Sequence, residues 1–148
     1  MQKAFTKQEY QQYVEKVSPK SKTLRNTLRA FLVGGLICTI GQFINNLLTA
    51  RGLNKEVASN LTSLILIFLG ALLTGLNVYD ELGKYAGAGS IVPITGFANS
   101  IVSPAMEFKS EGYIMGVGSR MFAIAGPVLV YGISAAVISG IFYYLLRF

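Results

Sequence analysis

The 148-residue sequence contains no histidine and a single cysteine, and these two shortages exclude several kinds of chemistry. Without histidine the chain cannot form a histidine-activated nucleophile or the common Cys/His zinc sites. Cys38 has no second cysteine with which to form a disulfide within the chain. We therefore predict no metal site, no cofactor and no enzymatic activity.

Phosphate-binding glycine motifs are also missing. The glycine-rich run Gly83–Gly89 lacks the third glycine of the dinucleotide fingerprint, and no Gly-Lys-Ser/Thr follows it. Nucleotide binding is therefore excluded.

Charged residues are scarce, at 14% of the chain, whereas hydrophobic residues make up 52% and the mean hydropathy is +0.50. This balance is typical of integral membrane proteins rather than of soluble domains. Three stretches, 30–50, 57–79 and 121–146, carry no charge and match the roughly 20 residues that cross a ~30 Å hydrocarbon core. We predict an all-α integral membrane protein with three transmembrane helices, in a membrane domain covering 30–148.

Residues 1–29 form a basic arm with seven Lys or Arg and two Glu. Within it Tyr10, Tyr13, Val14 and Val17 recur at helical spacing, which predicts an amphipathic helix on the cytoplasmic membrane face. An arm joined to a span is expected to face anionic lipid rather than nucleic acid, and it places the N-terminus in the cytoplasm. The alternative for this helix is a docking site for a soluble partner.

The stretch 84–118 is different from the three spans. Its 22 uncharged residues between Lys84 and Glu107 are interrupted by glycines and prolines and contain several hydroxyl and amide side chains. Irregular backbone at membrane depth survives only inside protein or beside water, so we predict a broken or re-entrant helical segment. Positive residues divide nine inside to four outside if the segment crosses, and ten to three if it returns, which leaves both topologies open.

This segment also supplies the candidate transport path. We expect Gly87 and Gly89 to form a turn and a half-helix end that attracts anions, with Pro93 as a further break. Thr95, Asn99 and Ser103 are four residues apart and share one helix face. Two further candidates, Gln42 and Asn45, lie on a polar stripe of the first span, for which close helix packing is the alternative.

Acidic residues bracket the same segment and are candidate pore-mouth charges. They are Asp80, Glu81, Glu107 and Glu111. Carboxylates at a pore mouth can hold a divalent cation, and the alternative is that they are exposed loop charges.

Several motifs resemble the stage V sporulation protein AC and AE family of spore membrane proteins. The motifs are AFLVGGLICTIGQ at 30–42, FLGALLTG at 68–75, AGAGSIVPITGFAN at 86–99, MEFKSEG at 106–112 and AGP at 125–127. The basic arm is similar to that of the AC branch of this family.

The resemblance implies an integral protein of the inner membrane of the spore or forespore. It implies partnership with sister stage V A membrane proteins and a soluble stage V A protein. The transported substrate would be dipicolinic acid with calcium, moved in during sporulation and out during germination, with tension-responsive behaviour. The family supplies no catalytic motif. The competing function is a non-conducting membrane scaffold that anchors a soluble partner and packs with sister subunits.

Overall fold

The structure is a computed structural model that describes residues 6–18 and 21–147, and every regular element within these residues is helical. Seven α-helices follow one another: α1 Lys7–Val17, α2 Thr23–Ala50, α3 Lys55–Gly75, α4 Val78–Ala86, α5 Ala88–Ile91, α6 Ile94–Glu107 and α7 Ser119–Arg147. A 3₁₀ turn at Lys109–Glu111 and a π-helical stretch at Tyr113–Gly118 join α6 to α7.

Three of the helices are long and apolar enough to cross a membrane: α2, α3 and the continuous helix Tyr113–Arg147 that contains α7. This confirms the all-α membrane fold with three spans. The helix α2 begins at Thr23, before the uncharged stretch, so Arg25 and Arg29 lie on its first turns. Pro127 lies inside α7, which continues through it.

The short helix α1 begins with a capping box. The Glu9 carboxylate accepts hydrogen bonds from the Thr6 amide at 3.0 Å and from the Thr6 hydroxyl at 2.8 Å. All residues of α1 are exposed, and none of them is buried against another described element. Its apolar stripe, with Tyr10 and Val17 among its members, is therefore available to a membrane surface.

The uncharged stretch 57–79 is divided in the structure. The helix α3 ends at Gly75, and Asn77 adopts a left-handed conformation with φ of 59° before α4 begins. Asparagine tolerates this conformation better than most residues. The chain reverses here, so Tyr79 belongs to α4 rather than to the second span.

The directions of the helices follow from pairs of contacting residues. The helices α2 and α3 are antiparallel, because Asn45 bonds to Thr62 while Gly41, four residues earlier, lies against Leu66, four residues later. Each step toward the end of α3 therefore corresponds to a step toward the start of α2.

The helix α6 runs parallel to α3. Gly70 of α3 lies against Thr95, and one turn further along both helices Thr74 bonds to Asn99. Thus α6 begins about two-thirds of the way along α3 and runs toward the end at which α3 finishes. With 14 residues it is about 21 Å long, too short to cross the bilayer.

Together α4, α5 and α6 form a re-entrant hairpin, residues 78–107. It leaves the end of α3, turns beside Cys38 at Val92–Pro93, and returns to the same end. Cys38 lies nine residues, or about 13 Å, along α2 from Arg29, so the tip of the hairpin reaches roughly the middle of the membrane. In this topology the segment re-enters, and α7 carries the chain across a third time.

The buried interior consists mainly of small and hydroxyl-bearing residues. The buried residues include Ala58, Ala98 and Ala125, and the polar Thr62, Thr74, Ser90 and Thr95. Large apolar side chains along α2, α3 and α7 point outward and are exposed. This inverted distribution is expected in lipid, where helices associate through close packing and hydrogen bonds.

Candidate transport path

The tip of the re-entrant hairpin is fixed by one buried phenol. The side chain of Tyr79 is 3% exposed, and its Oη lies 2.7 Å from the Ser90 carbonyl oxygen and 2.8 Å from Thr95 Oγ1. Its hydroxyl donates to the Ser90 carbonyl and is available to accept from Thr95. These bonds join α4 to both α5 and α6 at a depth where an unpaired polar group is costly.

Glycines let the hairpin approach the spans closely. A Cβ atom on Gly89 would lie 2.2 Å from the Ala30 carbonyl oxygen of α2, and one on Gly70 would lie 2.8 Å from the Thr95 carbonyl oxygen. Gly87 has φ of 54° and forms the turn between α4 and α5. Gly87 and Gly89 therefore serve the turn and the packing against α2.

A polar cleft lies between α3, α4 and α6 at the end where the hairpin enters and leaves. Its cavity volume is about 460 Å³. The cleft is lined by Thr74, Asn77, Asp80, Asn99, Ser103, Met106 and Glu107. Amide, hydroxyl and carboxylate groups from three helices thus converge on one space.

The inner end of the polar cleft is held by Thr74. Its hydroxyl lies 2.9 Å from Asn99 Oδ1 and 2.7 Å from the Gly70 carbonyl oxygen, and it donates to one of them at a time. Thr74 is buried and Asn99 is partly buried, whereas Ser103 is exposed. The cleft therefore becomes more hydrated from Asn99 toward its mouth.

The mouth of the polar cleft carries two carboxylates, Asp80 and Glu107, which have different surroundings. Asp80 pairs with Lys84 at 3.1 Å, and Glu81, which does not line the cleft, pairs with the same lysine at 2.7 Å. The hydrogen bonds from Lys84 to Glu81 and Asp80 raise the pKa of the lysine above its ordinary value, so it stays charged. Within residues 6–18 and 21–147 Glu107 forms no ion pair, which leaves it as the uncompensated charge at the mouth.

The structure brings four of the predicted residues together and separates the others. Asn99, Ser103, Asp80 and Glu107 all line the polar cleft. Thr95 lies on α6 with Asn99 and Ser103 but is buried against Tyr79. One turn before Asn99, α3 and α4 cover the face of α6 that opens to water near Ser103.

The remaining predicted residues lie elsewhere. Pro93 precedes the first residue of α6, and Glu111 closes the 3₁₀ turn after it. Gln42 bonds to Asn46, and with Asn45 they line an open polar groove of about 680 Å³ near the α2–α3 turn.

An apolar layer separates this groove from the polar cleft. It surrounds a small cavity of about 100 Å³, whose apolar lining residues are Ile37, Ile40, Leu66, Leu69, Leu73 and Leu82. Tyr79 and Thr95 complete the lining with their bonded hydroxyl groups. Sequence reasoning missed Thr74 and Asn77 as cleft residues. They meet Asp80 because the chain breaks at Asn77 between α3 and α4, and the sequence pattern does not reveal this break.

Comparison with known proteins agrees with the motifs. The family model of the SpoVAC/SpoVAEB sporulation membrane protein matches residues 26–142. The chain belongs to this family. Stage V sporulation protein AC of Bacillus subtilis (strain 168) is 49% identical over 135 residues, which is 90% of each chain. No solved structure matches the chain.

The matched range begins inside α2 and ends inside α7, so it contains the whole re-entrant hairpin and the polar cleft. The arm before residue 26 lies outside the family model. Membership therefore concerns the membrane domain: the chain is a sporulation membrane protein built around the three spans and the hairpin.

Proposed function

We propose that this chain is a subunit of a membrane path for dipicolinic acid, with calcium, across the inner membrane of the spore, and that it is not an enzyme. The observation that carries the proposal is the polar cleft, which opens at one end of the bundle and extends between α3 and α6 as far as Thr74 and Asn99. A dianion needs such a hydrated route, since charge is expensive at the bilayer centre.

The path has a barrier within this chain. The apolar layer lies between the polar cleft and the groove lined by Gln42 and Asn45. Apolar constrictions gate by excluding water. Movement of the hairpin relative to α2 and α3 would open this layer, because Tyr79 and Thr95 of the hairpin form one of its sides.

One chain supplies only part of a pore wall. Three spans are few for enclosing a pore, and α7 leaves Val130, Tyr131 and Phe142 exposed. We therefore propose assembly with sister stage V A membrane proteins, a cytoplasmic N-terminus, and a soluble stage V A partner at the basic arm. Placement in the forespore inner membrane during sporulation and in the spore during germination belongs to the same proposal.

The test replaces the polar wall of the cleft with apolar side chains. The double variant Asn99→Leu, Ser103→Leu is expected to reduce the dipicolinic acid content of spores at least tenfold with unchanged protein level. The fold should survive, because Thr74 keeps the Gly70 carbonyl as its hydrogen-bond acceptor.

The matched control is Thr39→Leu, Ser63→Leu. These hydroxyls bond to carbonyls of their own helices and do not line the cleft, so spore content should be normal. Normal content in the Asn99, Ser103 variant would refute the assignment of the cleft.

The scaffold function is the alternative, and the closed apolar layer favours it. Flux of dipicolinic acid from liposomes that contain the purified chain with its sister membrane subunits distinguishes the two. A scaffold predicts that flux is equal for the wild type and the Asn99, Ser103 variant, whereas a path-forming subunit predicts its loss in the variant.

A further inference from the structure

A second cavity lies on the other side of the hairpin, between the start of α2 and the end of α4. Its volume is about 550 Å³. We call it the basic pocket, and its polar lining residues include Thr23, Asn26, Thr27, Arg29, Lys84 and Tyr85. It lies where α2 passes from its basic first turns into the uncharged stretch that begins at Ala30, which is the level of lipid headgroups.

Arg29 carries the uncompensated positive charge of the basic pocket. Its guanidinium carbon lies 4.5 Å from the centre of the Tyr85 ring, and within the described residues it forms no ion pair. The charge of Lys84 is already matched by Asp80 and Glu81. A guanidinium stacked on a ring keeps the N–H groups at its edge free for a phosphate oxygen.

An apolar groove continues directly from the basic pocket into the membrane. The groove has a volume of about 340 Å³ and runs between α2 and α5. Ala30 and Ala88 line both spaces, and from there the groove extends along Gly34, Gly35 and Cys38 on one side and Val92 and Pro93 on the other. The absence of side chains at the two glycines gives it depth.

We propose that the basic pocket and the apolar groove together bind one anionic phospholipid. The phosphate bonds to Arg29 and the hydroxyl groups near the start of α2, and an acyl chain lies in the groove between α2 and α5. A soluble anion would leave the groove unused, and a neutral lipid would leave the Arg29 charge unused. Basic pockets at the cytoplasmic ends of membrane helices bind anionic headgroups in this way.

This site is a separate cavity from the polar cleft between α3, α4 and α6, and the ion pair of Lys84 with Asp80 lies between the two. A lipid held here contacts α5 beside Gly89 and the hairpin tip at Pro93. Because a ligand stabilises the state that it binds, an occupied site would stabilise the packing of the hairpin against α2.

The first test measures lipid binding to the purified full-length chain in detergent. Native mass spectrometry with added dioleoylphosphatidylglycerol or dioleoylphosphatidylcholine reports the occupancy of each lipid. The wild type should bind phosphatidylglycerol more tightly, and Arg29→Gln should weaken that binding about fivefold. Arg51→Gln, an exposed arginine at the far end of α2, is the matched control and should change it less than twofold.

The second test examines the groove. A Cβ atom on Gly35 meets nothing within 4 Å, so Gly35→Leu fills the groove without displacing backbone. This variant should weaken phosphatidylglycerol binding at least fivefold. Glycerol 3-phosphate has no acyl chain and contacts only the basic pocket, so its ability to compete with the lipid should be unchanged.

Three results would overturn the proposal. Equal binding by the Arg29 and Arg51 variants would show that the pocket does not select the charge. Equal affinity of the wild type for phosphatidylglycerol and phosphatidylcholine would likewise show that the pocket does not select the charge. Full displacement of the lipid by millimolar glycerol 3-phosphate, with no effect of Gly35→Leu, would assign the pocket to a soluble anion. The melting temperature of each variant is measured as a control, and a value equal to that of the wild type shows that a change in binding does not come from unfolding.

Discussion

The contact between Gly89 and α2 gives the sharpest prediction about the re-entrant hairpin. In Gly89→Ala the added Cβ atom would lie 2.2 Å from the Ala30 carbonyl oxygen, 2.7 Å from its Cα and 2.8 Å from its carbonyl carbon. All three are backbone atoms, so no side chain can rotate away. Since ordinary contacts between non-bonded atoms begin at about 3.5 Å, α5 must move away from α2 by roughly 1 Å.

The expected cost is that of overpacking an interior, about 1–3 kcal/mol of unfolding free energy. Unfolding of the purified chain by SDS in mixed micelles, followed by circular dichroism, measures it. The matched control is Gly35→Ala on the facing helix, where the new methyl group meets nothing within 4 Å. That variant should be neutral or slightly more stable, since alanine favours helix over glycine. Equal stability of Gly89→Ala, Gly35→Ala and the wild type would refute the close packing of α5 on α2.

Two further predictions concern single side chains. Tyr79→Phe removes the donor to the buried Ser90 carbonyl and the partner of Thr95, so the free energy of unfolding should fall by about 1–3 kcal/mol. The control is Tyr85→Phe, which keeps its ring on the surface and should change the free energy of unfolding by less than about 0.5 kcal/mol. Equal effects of the two variants would contradict the account of the hairpin tip. Hydrogen bonds from the residue that caps α1 lower the pKa of the Glu9 carboxyl, so their stabilisation of α1 is present above the ordinary carboxyl pKa and is lost as pH falls through the lower folded value. The Cα chemical shifts of α1 should therefore lose helical character below about pH 4 in the wild type and show no such step in Glu9→Gln.

The sequence predicted the spans well because lipid imposes one simple requirement. Uncharged stretches long enough to cross the bilayer at 30–50 and 121–146 lie within α2 and α7. The uncharged stretch 57–79 runs past the end of α3 at Gly75, and the absence of charge gives no sign of the break there. Asn77 reverses the chain three residues before the first carboxylate, Asp80.

The candidate site could be predicted only in part. Polarity and spacing point to Asn99 and Ser103, and these two residues do line one cleft. Thr95 has the same spacing but faces Tyr79, because the tertiary packing of α4 decides which part of the α6 face meets water. Periodicity within one helix carries no information about which neighbouring helix covers it.

The role of Tyr79 shows the same limit more strongly. In the sequence it is only the last residue of the uncharged stretch 57–79. In the structure it is 3% exposed and joins three helices of the hairpin. Its partners Ser90 and Thr95 lie 11 and 16 residues away, so the contact becomes visible only once the chain has turned back on itself.

The central claim is that residues 78–107 enter and leave the membrane on one side. In a Cys38→Ala background, single cysteines introduced by Ser21→Cys, Ser110→Cys and Asn54→Cys should be labelled by an impermeant maleimide from opposite sides of sealed vesicles. The account predicts that the positions before α2 and after α6 are labelled from one side, and the position in the α2–α3 turn from the other. Labelling of residue 110 from the same side as residue 54 would show that the segment crosses, and would contradict the account.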